Sequence, residues 1–259
     1  MKMPEPRARR MNLLVVGQSH IAAVRAAAKT HREAFPDEPR TRVIHTLEEA
    51  HAPEFEDVAG GDYSAARFGP RLGAAIEDQI ARHHPRVASM IGGNVHNTLA
   101  LMRHPRPFDF MLPDEGGPPR DEGSELIPLE LMRATLTQKL QPDFARLRAL
   151  HAIAGPFIHV ESPPPVRDEA YIGARAESWF RDRAQGELIV AGAGLRWRMW
   201  RLTSRLLREA VEALEGRFLP VPAEACDQDG FLRQALAADP THGNEAYGEL
   251  LIRAIEDLP

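Results

Sequence analysis

Three short blocks in this chain carry residue types that can do covalent chemistry. Gly17-Gln18-Ser19 closes the apolar run Leu13-Leu14-Val15-Val16 and precedes an alanine-rich stretch from Ile21 to Phe35. The run predicts a buried strand and the stretch a helix, so Ser19 stands at a helix N-terminus. A serine there has two uses. Its hydroxyl can cap free amides of the first turn, or it can serve as a nucleophile where helix amides and the helix dipole stabilise an oxyanion. Asp239-Pro240-Thr241-His242 comes just before the last predicted helix, a spacing that lets the carboxylate reach one imidazole nitrogen while the other points outward. Such a pair is either one part of a catalytic unit that needs a nucleophile, or a turn-capping aspartate beside a surface histidine. Gly92-Gly93-Asn94 ends a third apolar run. An asparagine there is a turn former, or it shares a crevice with Ser19 if the two strands are neighbours.

The elements that must position these blocks alternate strand and helix. Thr41 to Thr46 reads as a second strand, and a helix follows from about residue 65 or 70 to His84, ended by Pro85. Arg86 to Asn97 reads as the third strand, ending in glycine and a polar cluster, Pro156 to Glu161 as the fourth, stopped by Ser162-Pro163-Pro164-Pro165, and Arg217 to Pro222 as the fifth. Helices are predicted over Leu126 to His151, bent or broken at Pro142, over Leu195 to Leu214, and over Glu245 to Leu258. Asp168 to Arg183, with Tyr171, Trp179 and Phe180, reads as helix or loop. Leu112 to Glu125 is rich in breakers and charge and is expected to be a long surface loop of the kind that serves as a lid. The alternation argues for an α/β fold with a parallel sheet covered on both faces. Residues 1–10 are expected to be a flexible tail and 11–259 one domain.

The chain has 259 residues, 43% of them apolar, enough for one large core. Its formal charge of −5 without a basic block argues against a nucleic-acid partner. The cluster Arg196-Trp197-Arg198-Met199-Trp200-Arg201 is spread over several helix faces, which predicts core packing with solvated arginines rather than base stacking. Cys226 is the only cysteine, so there is no internal disulfide and no cysteine-based zinc site. No apolar run is long enough for a signal-peptide core or a bilayer span, so membrane insertion is not expected and the cytoplasm is the expected compartment. Gly192-Ala193-Gly194 lacks the third glycine of a dinucleotide fingerprint, and Asp227-Gln228-Asp229-Gly230 is a fragment of a calcium loop. Neither a metal nor a cofactor is expected. Oligomeric state is left open.

Taken together and in this order, the blocks resemble the SGNH hydrolase superfamily, the GDSL-like esterases and lipases, over about Met11 to Leu258. Gly17-Gln18-Ser19 is similar to the family's serine block, Gly92-Gly93-Asn94 to its asparagine block and Asp239-Pro240-Thr241-His242 to its Asp-x-x-His block. The proline-rich turn Ser162-Pro163-Pro164-Pro165 also resembles the family. Three positions depart. Gln18 stands where Asp is usual, a variant of the carbohydrate acetylesterase branch; His20 replaces an apolar residue; Val95 stands where Asp is common.

The resemblance implies a three-layer α/β/α sandwich around a five-stranded parallel sheet, the flavodoxin-like SGNH fold. It implies Ser19 as nucleophile, His242 as general base and acid, and Asp239 as the group that orients His242. The implied oxyanion hole is the Ser19 amide, Asn94 and a glycine amide. Gly60, Gly61 and Gly69 are the candidates for that glycine, and Gly61 is chosen for its place in a loop before a helix. The implied activity is hydrolysis of small acyl esters, such as O-acetyl groups on a carbohydrate or related metabolite, through an acyl-serine. Two alternatives remain: a non-catalytic binding module with the same fold, and an acyltransferase using the same residues.

Overall fold

The computed structural model describes residues 9–56, 58, 60–113, 115–176 and 189–259. Strands β1 (Leu13–Gly17), β2 (Thr41–His45), β3 (Arg86–Met90), β4 (Ile158–Val160) and β5 (Arg217–Leu219) form one sheet in the order β2-β1-β3-β4-β5. Every neighbouring pair is parallel. The fold is thus α/β with the expected five-stranded parallel sheet. The chain leaves β1 outward to β2 and then returns to its other side at β3, so the topological switch point lies between β1 and β3, where sheets of this kind bind ligands.

All five residues of β1 are buried, because helices cover both faces. The pleat sends Leu14 and Val16 into one core with Leu72, Leu136, Leu147 and Met199, and Leu13 and Val15 into another with Val24, Leu251 and Ile255. The first core is built on α2 (Pro70–His83), α4 (Leu129–Lys139), α5 (Gln141–Ala154) and α7 (Ala193–Glu212), and the second on α1 (Ile21–Ala34) and α8 (Glu245–Glu256). The short helices α3 (Val95–Ala100) and α6 (Glu169–Arg175) follow β3 and β4. Helices α1 and α8 touch backbone to backbone: a Cβ on Gly248 would lie 2.1 Å from the Ala23 carbonyl oxygen, so only glycine fits. No described helix is long and apolar enough to cross a membrane.

Four expectations need correction. The predicted long helix is broken near Pro142, as the sequence allowed, into α4 and α5 with the hinge at Leu140. Pro142 sits in the first turn of α5, where its missing N–H costs nothing. Leu126 is not helical but pairs in a two-residue ladder with Asp109.

The segment expected as a lid is pinned to α7. Glu115 accepts from Arg201 Nε and Arg205 Nε, each at 2.6 Å, and Arg198 donates to the Pro118 carbonyl at 2.7 Å. Asp114 lies outside the described residues.

Arg196 and Arg198, expected in solvent, are 1% and 3% exposed. Every guanidinium nitrogen of the two finds an acceptor inside the protein. Arg198 forks onto the Asp109 carboxylate, and Arg196 donates to the carbonyls of Ala191, Val166 and Arg167. Burial lowers the Arg196 pKa to about 10.

Arg9, placed by the sequence in the tail, is also buried. It forks onto Glu249 of α8 at 2.6 and 3.2 Å, and its amide donates to Glu38, so the domain begins before residue 11. Residues 1–8, and Trp179 and Phe180 in the segment after α6, lie outside the described residues.

Candidate active site

Gly17 ends β1 in register with His45 of β2 and Met90 of β3, so the turn Gln18-Ser19-His20 emerges between the carboxyl ends of both neighbours. The approach is close enough to require glycine, since a Cβ at Gly17 would sit 2.6 Å from the Met90 carbonyl oxygen. The turn enters α1 through Ile21 N–H to the Gln18 carbonyl and Ala22 N–H to the Ser19 carbonyl. The N-cap position belongs to His20, and no side chain caps the helix. Ser19 is therefore not the capping serine, and its side chain is exposed at the mouth of a groove.

Gln18 explains itself through its neighbours. Its Oε1 accepts from Gly92 N–H at 2.7 Å, and its amide faces the buried carboxylate of Asp143, whose charge it favours. Asp143 in turn binds Arg146 at 2.7 Å, and Arg146 forks onto Glu54 at 2.7 and 2.8 Å. Burial pushes the Asp143 carboxyl up, against the pull of Arg146 and Gln18. A neutral residue that both accepts and donates fits between an amide and a carboxylate; an aspartate at position 18 would accept from Gly92 but repel Asp143.

His20, whose departure from the family pattern had no assigned role, packs beneath the catalytic candidate. It is 4% exposed, and its ring centroid lies 5.1 Å from that of His242. Burial first, then the charges of His242 and His96, lower its pKa to about 3, so it is neutral at physiological pH. Gly93 lies against it: at φ +86° this glycine approaches Ser162 so closely that a Cβ would be 2.4 Å from the Ser162 Cβ.

Asp239 makes both sets of contacts, to its own turn and to the imidazole. It caps its own turn by accepting from Thr241 N–H at 2.8 Å and His242 N–H at 2.9 Å, and it accepts from His242 Nδ1 at 2.9 Å. Burial opposes its charge, but the hydrogen bonds from the His242 ring and the two amides outweigh that and lower the carboxyl to about 2. An ionised carboxylate only accepts, so Nδ1 carries the proton of a neutral His242 and Nε2 is left with its lone pair. Nε2 is buried and has no hydrogen-bond partner among the described residues, Ser19 included.

Ser19, Asp239 and His242 all line one open groove of about 1290 Å³. Asn94 stands on the adjoining turn, at the N-cap position of α3, where its Oδ1 accepts from Asn97 Nδ2 at 2.8 Å. It does not line the groove, although the β1–β3 register sets its turn beside that of Ser19. Gly61 is exposed at φ +84° with no atom within 4 Å of where a Cβ would be, and it does not line the groove. At the end of β2 the structure offers a group that sequence reasoning passed over. Thr46 donates its amide to the Gly17 carbonyl at 2.9 Å, and its hydroxyl is buried without a partner among the described residues. Its only signal in the sequence is its place as the last residue of the second strand.

Among the described residues, no group of three His, Cys, Asp or Glu side chains could hold a metal ion. The Cys226 thiol is pushed up to about 11, mainly by burial, which suits a structural residue rather than a nucleophile.

No family model matches the sequence, and no curated protein matches it. Solved structures do resemble it. A GDSL-like lipase from Bacteroides thetaiotaomicron is 10% identical with a TM-score of 0.44, covering 99% of this chain and 90% of its own. The lipopolysaccharide acetyltransferase periplasmic domain of Salmonella ser. Paratyphi A is 11% identical with a TM-score of 0.46, covering 96% and 84%. The chain is likewise similar to an acetylxylan esterase from Geobacillus stearothermophilus, at 12% identity and a TM-score of 0.44, with 98% of each chain covered.

Proposed function

We propose that this protein is a serine ester hydrolase of SGNH type that removes small acyl groups, O-acetyl foremost, from a carbohydrate or related metabolite. The observation that carries the reading is the free His242 Nε2, fixed as acceptor by Asp239 on Nδ1, in the same groove as the exposed Ser19. In the proposed reaction the Ser19 side chain turns toward Nε2, gives up its proton there, and its Oγ attacks the ester carbonyl. The imidazolium so formed is stabilised by Asp239. The Ser19 amide and Asn94 Nδ2 are the proposed oxyanion donors, and Gly61, away from the groove, has no support as the third. Collapse breaks the ester C–O bond, and the leaving alcohol takes the proton from Nε2. Water, deprotonated by the same nitrogen, then releases the acyl group and restores Ser19. The separation of Nε2 from Ser19 Oγ suits a resting site, because such contacts tighten when substrate binds.

The test is labelling with a fluorophosphonate probe alongside turnover of an aryl acetate. An esterase is labelled at Ser19 and releases acetate. A binding module of the same fold does neither. A transferase is labelled and yields free acid slowly, and when an acceptor alcohol is supplied it turns over faster, with the acyl group leaving as the new ester of that alcohol.

A further inference from the structure

The groove that starts at Ser19 does not end there. It runs beside α1 and along β2, the edge strand of the sheet, toward the sheet's amino edge. Its walls are cationic. Arg25, Lys29 and Arg32 recur at helical spacing on one stripe of α1, with Ala22 and Ala26 between them, and Arg40 and Arg42 come from β2 and its approach. At 1.5 Å per residue, Arg32 lies roughly 20 Å along the helix from Ser19.

Most of these charges are uncompensated. Arg25 pairs with Glu48 at 2.6 Å, but Lys29 and Arg32 have no ion pair among the described residues. The Arg40 guanidinium donates to the Pro36 carbonyl and that of Arg42 to the neutral Asn12 Oδ1. Burial, and the nearby Arg40, lower the Arg42 pKa, so the fold holds like charges together without a counter-ion. The acids on the walls are mostly engaged: Asp78 pairs with Arg82 and Asp239 with His242, which leaves Glu245. In a chain of net charge −5 this is a local arrangement, not an average property. A concave, cationic groove concentrates anions, and its length beside an edge strand suits an extended chain.

We propose that the groove binds an ester whose alcohol portion is an extended carboxylate-bearing oligosaccharide, with the acyl group at Ser19 and the negative charges along Lys29, Arg32, Arg40 and Arg42. The proposal deepens the esterase reading and rests on it for the position of the acyl group.

Three measurements separate the two. The first compares kcat/KM on an acetylated oligogalacturonide with that on a neutral acetylated xylo-oligosaccharide of equal length. The acidic substrate should be preferred by roughly tenfold or more, through KM, and the preference should shrink as salt rises. The second repeats the comparison with Lys29→Glu/Arg32→Glu, both exposed positions, with circular dichroism as the check on folding; the ratio should fall to near one. The third titrates unacetylated oligogalacturonide into the wild-type protein and into Lys29→Glu/Arg32→Glu by calorimetry, with no catalysis involved. Equal turnover of both substrates without a salt effect overturns the groove assignment and leaves the esterase standing. Without turnover or fluorophosphonate labelling, the esterase reading fails. Calorimetry then decides the groove alone: binding that the double variant loses supports it, and no binding to the wild type overturns it.

Discussion

The Asp239 carboxylate holds His242 Nδ1 at 2.9 Å while the Nε2 of the same ring, buried beside His20, has no hydrogen-bond partner among the described residues. A buried ring nitrogen left open costs free energy unless something else uses it. If Ser19 is that user, Ser19→Ala and His242→Ala each lower turnover of an aryl acetate by roughly 10⁴-fold or more, and the double variant is little worse than either. Asp239→Asn is comparable or milder, because Asp239 orients and does not transfer the proton. Full activity in Ser19→Ala would sink the hydrolase reading.

Asn94 and Gly61 should respond differently. Asn94→Ala is expected to lower kcat by about 10²- to 10³-fold with a small change in KM, as for a lost oxyanion donor. Gly61→Ala strains a loop at φ +84° but should leave turnover near wild type, since Gly61, unlike Asn94, stands on no turn that the sheet register sets beside Ser19. Steady-state kinetics on the two variants decides this, and a large loss in Gly61→Ala would return it to the site.

Gln18 predicts an order of stabilities. Gln18→Ala leaves the Gly92 amide and the Asp143 carboxylate short of a partner, a cost of about 1–3 kcal/mol. Gln18→Glu adds a carboxylate beside Asp143 and should cost more, about 3–5 kcal/mol, as for an uncompensated buried charge. Urea unfolding of both variants measures the order; a Gln18→Glu variant as stable as wild type would contradict the network.

The ion pair of Arg198 with Asp109 has side chains 4% and 0% exposed. Arg198→Met strands the Asp109 carboxylate and should destabilise by about 3–5 kcal/mol, while Arg198→Met/Asp109→Leu recovers part of the loss. Hydrogen exchange in residues 115–124 should rise in the single variant, because Arg198 also holds the Pro118 carbonyl.

Acid should weaken the fold in a defined window. Burial lowers His20, His96 and His159 from 6.5 to about 3 each. Between those values the unfolded chain binds more protons than the folded one, so stability falls as pH drops from 6.5 toward 3. Each histidine contributes at most about 1.4 kcal/mol per pH unit. Asp239, lowered from 3.8 to about 2, adds a further loss below pH 4. Thermal unfolding from pH 7 to 4 should show a steadily falling midpoint, and replacing His96 by Phe should flatten it; a flat profile in the wild type would show these rings to be charged when buried.

By itself the sequence determined the order of the five sheet strands and of the long helices that cover them, because β1 is apolar throughout and those helices repeat their apolar residues at helical spacing. It also marked Ser19, Asp239 and His242, since tight turns after strands and before helices are local features with local residue preferences. What it could not decide depends on contacts between distant positions. Nothing near Gln18 in the chain reveals Asp143, and nothing near Arg198 reveals Asp109, so a neutral turn residue and a buried guanidinium are intelligible only once their partners are in place. The cationic groove is the same case. Arg25 to Arg42 are interleaved with Glu33, Asp37 and Glu38 and read as mixed charge, but folding turns Glu38 toward Arg9 and His31 and gathers the basic residues of α1 and β2 around one groove. Helical period and chain crossing sort the charges onto different surfaces, and that sorting exists only in three dimensions.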